Sequence, residues 1–383
     1  MKPKAKARIA GSLFFMLCGS AMAIFAVHIP AIETKLNLSH ALLGSLLLLV
    51  GGGAFAAMEL TGRFVDRTNS KLASLIGATI AGLALFGPGF ATSELELGLA
   101  TFALGFGIGA LDVAMNAHAL SVERSYSRPI FSSFHAFFSV GGLAGASLGA
   151  LTLSLGMAVE ITLPIFGVAL IALAYCFGPW LLKDESHKKV EPSAGSRSAG
   201  AKLGYVIFIG VISGFAALSE GSAGDWSALE LTSVLGTSES IAAFGLVSFS
   251  VAMFVTRLAG DRLVAKYGRV FVVRWGSLVA ALGIAMVSSA ASIGLTLAGW
   301  AVLGLGAGCI VPQMFAMVED VSEPAERGKN LSRVLALTYL GILAGPAAVG
   351  WLTIWLPLNL AIGLCGLLML LNFLFTYRLR VTK

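Results

Sequence analysis

Asp112, Asn116, His118 and His135 lie along one otherwise apolar stretch, residues 105–149, which reads GFGIGALDVAMNAHALSVERSYSRPIFSSFHAFFSVGGLAGASLG. Asp112 and Asn116 are four apart and Glu123 is seven further on, so a helix puts all three on one face. A returning helix that starts near residue 129 brings His135 back to nearly the height of Asn116, about a turn from Asp112. A carboxyl group and an imidazole facing one polar pocket can take up and release protons near neutral pH. The same residues also fit a structural pair, with a protonated Asp112 held by backbone and His135 as its interhelical partner. What surrounds the hairpin decides how much such groups matter.

The surroundings are hydrocarbon. Of 383 residues, 57% are hydrophobic and 12% charged, and the mean hydropathy is +0.88, whereas a soluble domain carries about 25% charged residues. Stretches of about 20 apolar residues, the length that spans a bilayer, fall near 9–29, 41–61, 72–92, 97–120, 129–152, 160–181, 203–223, 240–259, 270–290, 293–317, 331–354 and 358–377. The basic N-terminus before the first stretch resembles a signal peptide but reads as an uncleaved first span. With that N-terminus inside, all 26 Lys and Arg except Lys35 fall in segments on the cytoplasmic side, so both termini are expected there. The formal charge of +6 is then an orientation signal, and no basic patch interleaved with aromatics points to nucleic acid. Cys18, Cys176, Cys309 and Cys365 stand singly in separate apolar stretches without metal-ligand spacing. No metal and no cofactor are expected.

Residues 183–202, KDESHKKVEPSAGSRSAGAK, are the one sizeable polar insertion and divide the chain into an N-terminal bundle, 1–182, and a C-terminal bundle, 203–383. The halves echo each other at an offset near 199: Gly105, Gly107 and Gly109 fall on Gly304, Gly306 and Gly308, Arg128 on Arg327, and Gly142 on Gly341. The fold class that follows is an all-α polytopic membrane protein of twelve transmembrane helices in two pseudo-symmetric six-helix bundles. Repeats of this kind place a transporter's site near mid-membrane between them.

In the second half, the seventh span carries Glu220, Asp225 and Trp226 among Gly214, Gly221 and Gly224, and glycine-interrupted spans are where polar groups open toward a cavity. Glu220 is the better cavity residue, since Asp225 approaches the headgroups. Trp226 suits either stacking on a ring or anchoring at the interface. In the tenth span Pro312, Gln313, Glu319 and Asp320 mark a kink and a charged inner end, with Gln313 a further cavity candidate. His28, just before Pro30, reads as interfacial, and Glu59 as support for the loop that follows it. Gly141, Gly142, Gly145 and Gly149 read as a close-packing surface.

The loop after the second span contains Gly62, Asp66, Arg67 and Lys71. It resembles the Gly-x-x-x-Asp-Arg-x-Gly loop of the major facilitator superfamily, with Asn69 where glycine is usual, a replacement suited to a left-handed backbone. A degenerate echo, Gly260, Asp261 and Arg262, follows the eighth span. The resemblance covers the whole chain and implies that Gly62, Asp66, Arg67, Asp261 and Arg262 act at a cytoplasmic gate, while the residues alone also fit a turn with topology charges. Within the superfamily, Gly107-x-Gly109-x-x-Asp112-x-x-x-Asn116, followed by His135 ahead of Phe137 and Gly141, is similar to the fucose-permease-like branch of sugar and proton symporters. That similarity implies a protonatable Asp112 and a substrate-contacting Asn116. The chain departs from the pattern at His135, where an amide is usual, and has no acidic partner in the first span. The Gly-Pro of antiporters is missing from the fifth span and occurs instead as Gly345-Pro346, which favours symport.

No phosphate-binding loop, metal cluster or nucleophile triad supports enzyme chemistry. The expected function is secondary transport of a small polar solute across the inner membrane, with protons and the lipid bilayer as its other partners and a monomer as the unit. The substrate-binding candidates are Asn116, Glu220, Asp225, Trp226 and Gln313, and the proton-coupling candidates are Asp112 and His135. Two other readings stand beside it: a proton-driven exporter of amphiphilic compounds, and a sensor or scaffold that no longer transports.

Overall fold

A computed structural model of the chain describes residues 3–38, 40–183, 203–237 and 239–379, so the expected linker lies outside the described residues apart from Lys183. Among the described residues all regular structure is helical. The first half contains α1 (Pro3–Leu36), α2 (His40–Arg67), α3 (Ser70–Ala84), the short α4 (Phe86–Phe90), α5 (Glu94–Arg124), α6 (Phe131–Ser154) and α7 (Val159–Phe177). The second contains α8 (Leu203–Ser233), α9 (Glu239–Tyr267), α10 (Arg269–Ser289), α11 (Ile293–Ala307), α12 (Ile310–Val321), α13 (Arg327–Leu352) and α14 (Leu358–Phe375). Among the described residues twelve stretches are long and apolar enough to cross a membrane, α3 with α4 making one and α11 with α12 another.

Polar side chains start the helices where the loops turn. Ser93 Oγ accepts from Glu96 N at 3.3 Å while Glu96 Oε2 accepts from Thr92 N at 2.7 Å, a reciprocal cap of the first turn of α5. Ser292 Oγ caps α11 through Leu295 N at 3.3 Å. Asn69 corrects its expected role. Its φ of −168° is extended backbone, not left-handed, and its Oδ1 accepts from Leu72 N at 2.8 Å. Asparagine is therefore suited to this position as the N-cap of α3.

The described residues form two compact units. The first comprises Met1–Ser127, Phe134–Ser198 and Glu323–Ser332, and the second Arg128–Ser133, Ala199–Ser322 and Arg333–Lys383. Each is thus six spans plus a short segment from the other half of the sequence. The fourth span is the most enclosed of the first unit (78% buried) and the tenth of the second (83% buried), so each unit is built around one central span.

Glycines allow that centring. A Cβ at Gly105 or Gly109 would overlap the α2 backbone at Val50 or Ala54, and one at Gly107 the α3 backbone at Ala81. In the second unit Gly304 and Gly308 press on α9 at Phe249 and Met253, and Gly306 on α10 at Ala280. These partners obey the offset of the glycines themselves: Val50 pairs with Phe249, Ala54 with Met253 and Ala81 with Ala280. The sequence repeat is therefore a repeat of packing. It slips in α6, where Gly141, Gly145 and Gly149 face α1 at Met16, Ser20 and Ile24 while Gly142 meets open space. Gly341, its sequence mate, does pack, against Gly214.

The contrast generates a prediction. Gly105→Val or Gly304→Val should force a central span off its neighbour, an overpacking strain of about 1–3 kcal/mol, and lower the thermal unfolding midpoint in detergent by several degrees. Gly142→Ala should leave the midpoint unchanged.

Candidate functional site

In the first unit Asp112, Asn116 and His135 meet. Asp112 is 8% exposed and Asn116 fully buried, both on α5, and His135 approaches from α6. Asn116 Nδ2 donates to the Asp112 backbone carbonyl at 2.8 Å and to Asp112 Oδ1 at 2.9 Å. A carbonyl oxygen only accepts, so the amide nitrogen must face Asp112 and the amide oxygen must face His135. His135 Nε2 lies 3.2 Å from that oxygen and therefore carries the proton of this bond. The amide thus fixes which imidazole nitrogen bears hydrogen when His135 is neutral, and Phe15 packs edge-on against the ring at 5.0 Å between centroids. Asn116 connects the carboxyl group to the imidazole and is enclosed while doing so. His118 belongs elsewhere: its Nδ1 is 3.1 Å from Ser70 Oγ, tying α5 to α3.

An apolar cavity of about 200 Å³ also lies in this unit, lined by Met16, Leu17, Ala144, Phe166 and Leu170 among others. None of the candidate site residues lines it. His28, expected at an interface, is fully buried, with its Nδ1 2.7 Å from the Ile24 carbonyl.

In the second unit Glu220 is tied to Arg257, with Arg257 Nη2 at 3.4 Å from Glu220 Oε2. Arg257 stands inside the span Phe244–Tyr267 and is 8% exposed, so the sequence-based count that put it among the cytoplasmic topology charges is corrected. Its Nε donates to the Gly308 carbonyl at 3.2 Å. Proline explains why that carbonyl is available. Pro312 has no N–H, so the carbonyl four residues earlier, Gly308, loses its helical donor, and the tenth span breaks between Ala307 and Ile310. The expected kink is there, one turn before the proline, and a guanidinium replaces the missing donor.

The seventh span differs from expectation. α8 runs unbroken from Leu203 to Ser233 through Gly214, Gly221 and Gly224. Gly214 and Gly221 admit α13 at Leu337 and Ile342 instead of opening the backbone. Asp225 is exposed, and the Trp226 ring lies against Gly350, so neither joins Glu220 and Arg257. Gln313 is buried in a separate network: its Oε1 accepts from Arg269 Nη1 at 2.8 Å and its Nε2 donates to Ser132 Oγ at 2.9 Å. Arg269 Nε also reaches Asp320 Oδ2 at 3.2 Å.

The expected loop residues Gly62, Asp66 and Arg67 lie at the end of α2, and Gly260, Asp261 and Arg262 lie within α9, so the motif is helical and not a loop. Its two carboxylates occupy equivalent positions in the two units. Asp66 Oδ1 and Oδ2 accept from Gly328 N at 2.7 Å and Lys329 N at 3.0 Å, in the first turn of α13. Asp261 Oδ1 and Oδ2 accept from Ser132 N at 2.9 Å and Ser133 N at 3.2 Å, in the first turn of α6. Each carboxylate thus satisfies two amides that a helix start leaves without partners, at the positive end of the helix dipole. Close approach permits this: a Cβ at Gly62 would clash with Gly328 and Ser332, and one at Gly260 with Ser132 and Cys309. Arg67 and Arg262 are exposed beside their aspartates, and Glu59 forms an exposed ion pair with Arg63 at 2.8 Å. Ser132 had no sequence signal, since a serine at a helix start is common. Arg257 could have been found as an arginine that falls within the apolar stretch 240–259.

The Major Facilitator Superfamily family model matches residues 9–231 and 203–383. An uncharacterized MFS-type transporter of Yersinia pestis is 33% identical over 371 residues, 97% of this chain and 95% of the relative. An uncharacterized transporter of Sinorhizobium fredii is 32% identical over 92% of this chain and 93% of its own. Among solved structures, the fold resembles the human organic anion transporter MFSD10 (TM-score 0.79, 15% identity, 98% of this chain and 100% of that one). It also resembles the fucose transporter FucP in its outward conformation (TM-score 0.78, 16% identity, 99% of both chains). The chain is a multi-pass membrane transporter of the major facilitator superfamily, not an enzyme.

Proposed function

We propose that this protein moves a small polar solute across the inner membrane by alternating access, as a proton symporter in which Asp112 carries the proton. The observation that carries this reading is the Asp112–Asn116–His135 chain, an ionisable pair joined through one amide on the central span of the first unit. Ionisable groups at membrane depth mark ion and substrate pathways by default. Protonation of Asp112 removes its charge and, when the proton sits on Oδ1, turns the oxygen that accepts from Asn116 into a donor, so the Asn116 amide reorganises and His135 with it. That gives the site two hydrogen-bonded arrangements, and a solute that favours one of them shifts the balance.

Glu220 and Arg257 supply the solute contacts of the second unit, and Asn116, Asp225, Trp226 and Gln313 remain the other proposed contacts. Asp66 with Arg67, and Asp261 with Arg262, act as the gate, their caps on α13 and α6 forming and breaking as the carrier reorients. A cytoplasmic location for both termini follows from the distribution of Lys and Arg, and a monomer is the proposed unit. An exporter of amphiphilic compounds would use the same proton site in the opposite sense.

The test is proton flux in proteoliposomes containing wild type or Asp112→Asn, with a panel of sugars, organic acids and amines supplied under an imposed pH gradient. A solute that drives proton entry with the wild type alone is the expected result. Equal solute movement in both, without proton flux, would remove Asp112 from coupling, and proton exit during solute entry would favour the exporter.

The ion pair makes a second prediction. Glu220 can take up a proton if its partner is removed, whereas a guanidinium cannot lose one. Glu220→Leu should therefore lower the thermal midpoint more than Arg257→Met does, because the guanidinium then keeps its charge without its carboxylate. The double variant should fall nearer the wild type than Glu220→Leu does, read as thermal midpoints in detergent.

A further inference from the structure

Glu230 is a buried acid that no part of this mechanism uses. It lies on α8 one turn beyond the spanning stretch Leu203–Ser227 and three residues before the helix ends at Ser233, and it is 0% exposed. Its Oε2 accepts from the indole Nε1 of Trp300, on α11, at 3.1 Å. Its Oε1 is buried with no hydrogen-bond partner. Ser227, one turn back on the same face of α8, and Thr296, one turn from Trp300 on α11, are each 0% exposed and also hold hydroxyl oxygens without partners.

Among the described residues no charge pairs with this carboxyl group. α11 and α14 contain no acidic or basic residue, and α13 contains none after Arg333. On α9, the only acidic or basic residue before Arg257 is Glu239 at the start of the helix, and α9 meets this face of α8 through Gly245, against Ser227 and Leu231. The acids of α12, Glu319 and Asp320, stand at its far end, beyond Gln313. On α8 itself the nearest acids are Asp225, exposed five residues earlier, and Glu220, occupied by Arg257. A carboxylate enclosed this way has one hydrogen bond and no counter-ion, and it neutralises by binding a proton more readily than an exposed one does.

We propose that Glu230 is a proton-binding site of the second unit, separate from Asp112, which exchanges its proton with the aqueous phase at the end of α8. The step is one proton transfer with water: the carboxylate gains or loses H⁺ at its oxygens, and no electrons move. Burial pushes the Glu230 carboxyl up to about 7, the Trp300 bond partly opposing this. That range lies where a small change of external pH alters the charge. The sign for stability follows: the folded form keeps a proton that the unfolded chain has released, so this group's contribution falls as pH rises from the usual glutamate range to about 7 and is level above it.

The site requires no cargo to be observed, so its test is independent of symport through Asp112. Infrared difference spectra of membrane-reconstituted wild type, Glu230→Gln, Asp112→Asn and Trp300→Phe would be recorded while the pH is stepped from about 5 to about 9. The expected result is a protonated-carboxyl band that disappears near neutrality in the wild type and in Asp112→Asn but is missing from Glu230→Gln. In Trp300→Phe, which keeps the acid and loses the indole donor, the same titration should move to higher pH, and this variant carries the test if Glu230→Gln does not fold. An identical titration in wild type and Glu230→Gln, or no shift in Trp300→Phe, would overturn the assignment. Loss of the band at constant pH when sodium chloride replaces choline chloride would also overturn it, by making the site one for a metal cation.

Discussion

A charge inside a bilayer has to be held by something other than water, and the two units solve that problem differently. A carboxylate or guanidinium stripped of water loses several kcal/mol unless neighbouring groups replace the hydration. In the first unit the replacement is an amide: Asn116 donates to Asp112 and accepts from His135. In the second it is an ion pair completed by a carbonyl that Pro312 deprives of its donor, with Arg257 between Glu220 and Gly308. An amide can reorganise when a proton is added, whereas a guanidinium keeps its charge throughout. The two halves share a packing scheme but divide the chemistry.

Those arrangements depend on how closely the central spans approach their neighbours. The Gly105, Gly107 and Gly109 run lets α5 press on α2 and α3, and Gly304, Gly306 and Gly308 do the same for the tenth span on α9 and α10. Gly308 has two functions, since it also supplies the carbonyl that Arg257 holds. Asp66 on α2 and Asp261 on α9 rely on similar proximity, Gly62 and Gly260 clearing the way to the first turns of α13 and α6. Each carboxylate there satisfies amides that a helix start leaves without partners.

Much of this is legible in sequence because membranes restrict the choices. Length and hydropathy define the twelve spans, and the repeat at an offset near 199 anticipates packing partners, since glycine positions are constrained by backbone approach on both sides. The meeting of Asp112, Asn116 and His135 follows from helix geometry along one hairpin. What sequence reading misses depends on contacts between distant helices. Arg257 looks like another topology charge until Glu220 and Gly308 are beside it. Glu230 looks like one polar residue near a helix end until Trp300 covers it. Asn69 suggests a left-handed turn because that is a common reason for asparagine beside glycine motifs, but its side chain acts here as a cap. The glycines of α8 suggest an interrupted helix, yet small residues also serve where another helix packs closely, and the backbone does not reveal which until α13 is in place.

The central claim is that solute and proton binding are linked through Asp112, and linkage is an equilibrium property that can be read without transport. The direct measurement is the affinity of purified wild type and Asp112→Asn for one transported solute, by isothermal titration calorimetry across a series of pH values. Affinity that declines as pH rises in the wild type, and a flat profile in Asp112→Asn, is the predicted result. The same slope in both proteins, or none in either, would contradict the account.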